Sequence, residues 1–230
     1  MYPLRRGEFQ ETDMNEEQLH ELIGRMTVKE RMVSSDESIS WHAYREAEKI
    51  SDASVFPLLM KIIEDNSQKK QKDIRAAAYF IMGKVLLRTF SREACEFLIR
   101  QLEKETDRYI LSEILDLIEG LKLPADVDIS LIIACTKHDK WDVRHSAIHA
   151  LGASDTTESK EVLAYFLNQE DENKYNYEII YANAALGRIG TKEDIPLLEK
   201  HMNSRKRDMR DSARFAIQRI IDRERTGKTM

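Results

Sequence analysis

The chain has 230 residues, 33% of them charged, and a formal net charge of −5. Eight Gly and four Pro argue for long regular helices over a turn-rich β architecture, and two Cys make no disulfide framework. The negative balance argues against general nucleic-acid binding. No apolar run follows the first arginines and no stretch reaches the ~18 apolar residues of a membrane span. The expected location is therefore the cytoplasm, with no membrane partner.

Residues 1–13 read as a flexible tail. A helix is expected from about Met14, with Leu19, Leu22, Ile23 and Met26 at three-and-four spacing. Asp13-x-x-Glu16 resembles a capping box, as does Thr27-x-x-Glu30, which is read as opening a second short helix. Residues 14–37 are thus N-terminal capping helices, and Ser34 to Ser38 a linker or cap.

A unit of two helices then recurs over residues 38–225. The first copy spans about 38–67, with Ala43, Ala47 and Ile50 inward, then Phe56, Leu59, Ile62 and Ile63. The second, 71–105, carries Ile74, Ala78, Ile81 and Met82, then Phe97, Leu98 and Leu102, and its first helix is one turn longer. The third, 107–138, carries Ile110, Ile114, Leu117 and Ile118, then Leu131 and Ile132. The fourth, 141–168, shows the unit best. Val143, Ala147, Ala150 and Leu151 share one face, Gly152 caps, and Val162, Leu163, Phe166 and Leu167 follow. The fifth, 175–204, carries Ala182, Ala185 and Leu186, then Ile195, Leu197, Leu198 and Met202. A last helix, about 207–225, caps the stack, and 226–230 is a tail. Gly83, Gly152 and Gly187 hold one register position, 69 and 35 residues apart, and Pro57 and Pro196 both open second helices. A period near 35 with two helices per unit means an α-solenoid.

Asp73-Ile74-Arg75, Asp142-Val143-Arg144 and Asp208-Met209-Arg210 each open a first helix and run into small residues. With Ala185-Leu186-Gly187-Arg188-Ile189-Gly190 and Asp194-Ile195-Pro196-Leu197-Leu198, the pattern resembles the HEAT repeat family. It is most similar to the short bacterial HEAT-like repeats of the phycobilisome-lyase type. The resemblance implies an all-α fold, a right-handed solenoid of about five antiparallel pairs. It also implies an inter-repeat ladder using Asp73, Arg75, Asp142, Arg144, Asp208 and Arg210. That ladder is interrupted where Tyr109, Leu111, Tyr177 and Ile179 replace its members, so apolar packing should carry the stack. The family further implies a concave side lined by second helices.

Chemistry-bearing groups are few. Cys135, His138, His145 and His149 have spacings that bind zinc, yet His149 falls on an apolar register position and His145 on an exposed one. Cys95 and Cys135 read as buried thiols. Thr226-Gly227-Lys228-Thr229 lacks the first glycine of a phosphate loop. Residues 205–230 hold nine Lys/Arg against four Asp/Glu, a local +5, which suits a solvated cap. No catalytic constellation, metal site or cofactor is expected. The residues placed at the partner surface are Lys61, Arg100, Tyr165 and Lys200, one register column on the second helices, with Tyr175 and Tyr177 beside them. The expectation is a non-enzymatic, monomeric scaffold that holds a protein partner on its concave face, in one version an immunity or inhibitor protein. Alternatives are a DNA-interacting repair-type HEAT protein and an accessory subunit of a lyase-type enzyme. The repair reading needs an aromatic on the concave face, from which the positions of Trp41 and Trp141 point away.

Overall fold

The computed structural model describes residues 14–31 and 34–227. Both expected tails fall wholly or mostly outside these residues, as does Asp13. Twelve α-helices and no strand occur among the described residues. The chain begins with α1 (Glu16–Met26), α2 (Ile39–Ala47), α3 (Val55–Asp65), α4 (Lys72–Leu86), α5 (Arg92–Lys104) and α6 (Arg108–Glu119). It continues through α7 (Ser130–Cys135), α8 (Trp141–Ala150), α9 (Thr157–Leu167), α10 (Asn176–Ile189), α11 (Ile195–Glu199) and α12 (Arg207–Thr226).

Local signals set the boundaries. Asn15 caps α1 with its side chain on the Gln18 N–H, and Gln18 returns the bond. Thr27 ends α1 and opens no second helix: the backbone from Val28 to Arg31 is irregular. Glu30, read as part of a capping box, instead reaches forward. Its carboxylate accepts the N–H of Ile39 at 2.6 Å and the hydroxyls of Ser38 and Ser40 at 2.7 and 2.8 Å. Those bonds, the Ser hydroxyls first, hold its pKa down at about 2. It thus neutralises orphan donors at the start of α2. Ser91, Asp107 and Thr156 cap α5, α6 and α9 by side-chain oxygens.

The helices of the register's first column (α4, α6, α8, α10, α12) pack against one another through small residues. A Cβ on Gly152 would lie 3.0 Å from the Cα of Ala185, and one on Gly187 only 2.7 Å from the Cα of Ala216. Glycine here permits backbone contact that any side chain would prevent. Ala147, Ala182, Ala185, Ala213 and Ala216 are fully buried along the same row.

Second helices are spaced more widely. Between α7 and α9 lies an open groove of about 560 Å³. On the other side, Arg188 of α10 pairs with Glu119 of α6, past the intervening α8, and His149 of α8 lies 3.6 Å from the same carboxylate. A pair that reaches past an intervening helix, beside a row of first helices in backbone contact, marks the inside of a bend. The first helices therefore line the inner side, which corrects the expectation that the second helices would. The physical reason is the glycine–alanine row: small residues let one layer close up, and the layer that closes up faces inward.

Candidate functional site

Each Asp-x-Arg motif has a defined role, different from the expected mutual ladder. Arg75 is buried and makes two 2.9 Å bonds to Glu105 at the end of α5, and it donates to the carbonyls of Asn66 and Gln68 at 2.8 Å. Arg144 donates to the His138 carbonyl and to Glu178 Oε1, both at 2.9 Å. Arg210 donates to the Ser204 carbonyl at 2.8 Å. In all three the guanidinium reaches back to the loop before its own helix, and Arg75 and Arg144 also hold an acid of a later element. Asp142 faces Arg108 at 3.5 Å, and Lys72 meets Asp107 at 2.8 Å, so rungs do join consecutive repeats. Asp73 lies 3.9 Å from Lys29. None of the six residues pairs with another of the six. Arginine's fork is long enough for Arg75 and Arg144 to bind loop carbonyls and a glutamate together, which leaves Asp73 to Lys29 and Asp142 to Arg108.

The Arg144–Glu178 pair also divides two grooves. On the outer side is the groove between α7 and α9, lined by Ile133, Val162, Phe166, Tyr165 and Tyr175 with Lys137 and Glu161 at its rim. On the inner side is one of about 500 Å³, lined by Trp141, His145, Tyr177, Tyr181 and Lys174. Trp141, Tyr165 and Tyr177 are 61%, 57% and 58% exposed. Each is held at the first turn of a first helix or on the second helix beside it, so the helices fix their positions.

His145 lies at the centre of the inner groove. Its ring is within 5.6 Å, centroid to centroid, of Trp141, Tyr177 and Tyr181. The residue is buried, although its register position predicts an exposed side chain. Burial lowers its pKa, against the opposing pull of Glu178 3.4 Å away. Glu178 itself would be raised by burial, but its backbone bond and the Arg144 guanidinium keep it below the ordinary carboxylate range. The result is a fixed ion pair beside a lowered-pKa imidazole.

The column of expected partner residues is only partly gathered. Tyr165 and Tyr175 share the outer groove, and Tyr177 stands in the inner one. Lys200 is exposed and donates to Asn168 at 2.6 Å. Lys61 is tied to Glu16 of α1 at 2.8 Å, and Arg100 lies near Glu96 on its own helix; neither borders the grooves. Trp141 stands at the inner groove, although its place at a helix start had read as pointing away from the inner side. The structure adds two residues to the inner groove: His145, whose sequence pattern reads only as a zinc-spaced histidine at an exposed position, and Tyr181. A signal was present: both fall on the fourth and fifth first helices, one turn in from Trp141 and Tyr177.

A second inner-side cluster joins Glu113, Asp116 and His149. Burial, helped by Asp116, raises the Glu113 carboxyl to about 7. Burial also raises Asp116 and lowers His149. No group of three or more His, Cys, Asp or Glu suited to a metal ion occurs among the described residues. Cys95 is buried and Cys135 half-buried, and burial pushes both thiols up, Cys95 to about 11.

Residues 129–218 match the family model of HEAT repeats. No curated protein matches the sequence. Among solved structures, a designed armadillo repeat protein is similar at 14% identity and a TM-score of 0.49, over 88% of this chain and 99% of that one. An engineered protein has 12% identity and a TM-score of 0.42, over 89% and 68%. Human deoxyhypusine hydroxylase in complex with glycerol has 13% identity and a TM-score of 0.39, over 90% and 97%. No helix among the described residues is long and apolar enough to cross a membrane. The chain is an all-α repeat fold, and residues 129–218 of it are similar to HEAT repeats.

Proposed function

We propose that this scaffold binds a protein partner across the edge marked by Arg144 and Glu178. The observation that carries the reading is the gathering of Trp141, Tyr165 and Tyr177, each more than half exposed, around one fixed ion pair. Large aromatic rings with two rotatable bonds supply contact area at low entropic cost, and they dominate interface energetics. Tyr165 and Tyr175 offer an apolar wall on the outer side; Trp141, Tyr177 and Tyr181 offer one on the inner side. The role is one of binding, without chemistry of its own, and a regulatory or inhibitory form of it, as in an immunity protein, needs no further residues. A cytoplasmic location and a monomeric state fit this role.

The test is affinity capture from the native host with the parent chain and with Tyr165→Ala and Trp141→Ala. Each truncation removes an interface anchor, so each should weaken the captured complex by about 2 kcal/mol or more, roughly thirtyfold in affinity. Capture that is equal for all three proteins removes the reading.

A further inference from the structure

The loop between α7 and α8 borders a third groove, of about 490 Å³, on the same edge. Its walls come from the starts of α4, α6 and α8. Among the lining charges, Arg75 is satisfied by Glu105, Lys72 by Asp107, and Arg108 has Asp142 at 3.5 Å. Lys69 and Lys140 are exposed and make no ion pair among the described residues; against them stands Asp139. Outside the lining, Lys137, also exposed, adds a further cation at the rim of the outer groove. Tyr109, 63% exposed, lies under the Arg108 guanidinium at 4.5 Å and forms a flat apolar floor beside these cations. A chain of net charge −5 thus holds a locally cationic groove, and its lining residues His138 to Lys140 lie in the chain between Lys137 of the outer groove and Trp141 of the inner one.

We infer that the partner presents an acidic extended segment to the Lys69–Lys140 groove, next to an apolar anchor for the aromatic grooves. This rests on the protein-binding reading above and adds the partner's chemistry to it. Charge complementarity favours carboxylates at separated positions. Asp139, which makes no ion pair among the described residues and lies beside Lys140, would repel the evenly spaced phosphates of a nucleic acid, whereas side-chain carboxylates can be placed to meet Lys69 and Lys140 and to avoid it.

The probe is a short fluorescein-labelled peptide of Asp, Glu, Gly and Ser with one Leu-Tyr pair, followed by fluorescence polarisation. Its controls are the same peptide with Asn and Gln for the acids, its Lys counterpart, and an oligothymidylate. The acidic peptide should bind roughly tenfold more tightly than the amide peptide at low salt, and lose that margin as salt rises. The double variant Lys69→Glu/Lys140→Glu should erase the margin while its circular dichroism and melting stay as in the parent. Equal affinity for acidic and amide peptides overturns the inference, as does tighter binding of the Lys peptide or of the oligothymidylate, or no binding at all. Capture of the native partner that is lost in Tyr165→Ala but unchanged in the double variant leaves the protein-binding reading standing and removes this one alone.

Discussion

At the scale of single residues, the buried Arg75–Glu105 pair shows what the Asp-x-Arg motif does. Its guanidinium spends its donors on Glu105 and on two loop carbonyls, and Glu105 Oε1 also accepts the N–H of Thr106 at 2.9 Å and of Asp107 at 3.1 Å. The pair therefore fixes two inter-repeat loops at once. Removing one member leaves a buried charge unpaired, a cost of about 3–5 kcal/mol. Glu105→Ala is expected to lower stability by that amount in urea unfolding, and an effect below about 1 kcal/mol would contradict this role. The motif was visible in the sequence, but its partner was not. Glu105 lies 30 residues from Arg75 and belongs to no repeating pattern.

At the scale of elements, close approach of first helices decides the shape. Gly187 has backbone of Ala216 where a Cβ would sit, so Gly187→Ala must separate α10 from α12. It should destabilise by about 1–3 kcal/mol despite alanine's higher helix propensity. Gly24 in α1 has nothing within 4 Å of a Cβ, and Gly24→Ala should stabilise by about 0.5–1 kcal/mol. Thermal melts of both variants check the opposite signs. The glycine register was legible because 3.6-residue periodicity fixes which positions face a neighbour. Element lengths were less so. The helix α11 is only five residues long and leaves Met202 beyond its end, while α7 holds Leu131 only partly covered. Apolar periodicity marks a face and does not say where hydrogen bonding stops. The capping role of Glu30 was hidden for a similar reason: the box that its spacing matched was local, and the bonds it makes are nine and ten residues away.

At the scale of the whole molecule, inward packing brings ionisable groups together. Glu113 of α6 is half-buried on the inner side, and its carboxylate also raises the pKa of Tyr44 on α2, whose own burial is the larger cause. With a folded-state pKa near 7 against an ordinary 4.5, Glu113 binds its proton more tightly in the folded chain. Its contribution to stability therefore falls as pH rises from about 4.5 to 7, by at most about 1.4 kcal/mol per pH unit, and is flat above that. Glu113→Gln removes this slope. Relative to the parent, the variant should gain stability between pH 5 and pH 8 in urea titrations, and a pH-independent difference would count against the assignment. The candidate site was legible as individual residues, Tyr165, Tyr175 and Tyr177 among them. Their division between two grooves was not, because it depends on which helix layer faces inward. That in turn depends on contacts between helices two repeats apart.

One of those contacts has a mechanical consequence. The Arg188–Glu119 pair spans α8 like a strut across the chord of an arc. Straightening the arc there must first break a charge pair that is largely shielded from water. On the opposite layer, between α7 and α9, there is open space and no such tie, so flexing that widens or narrows the groove beside Tyr165 meets less resistance. The molecule is therefore stiff at the inner rim beside α8 and more compliant between α7 and α9, and a guest held at that edge is gripped by the second layer while the first keeps its curvature.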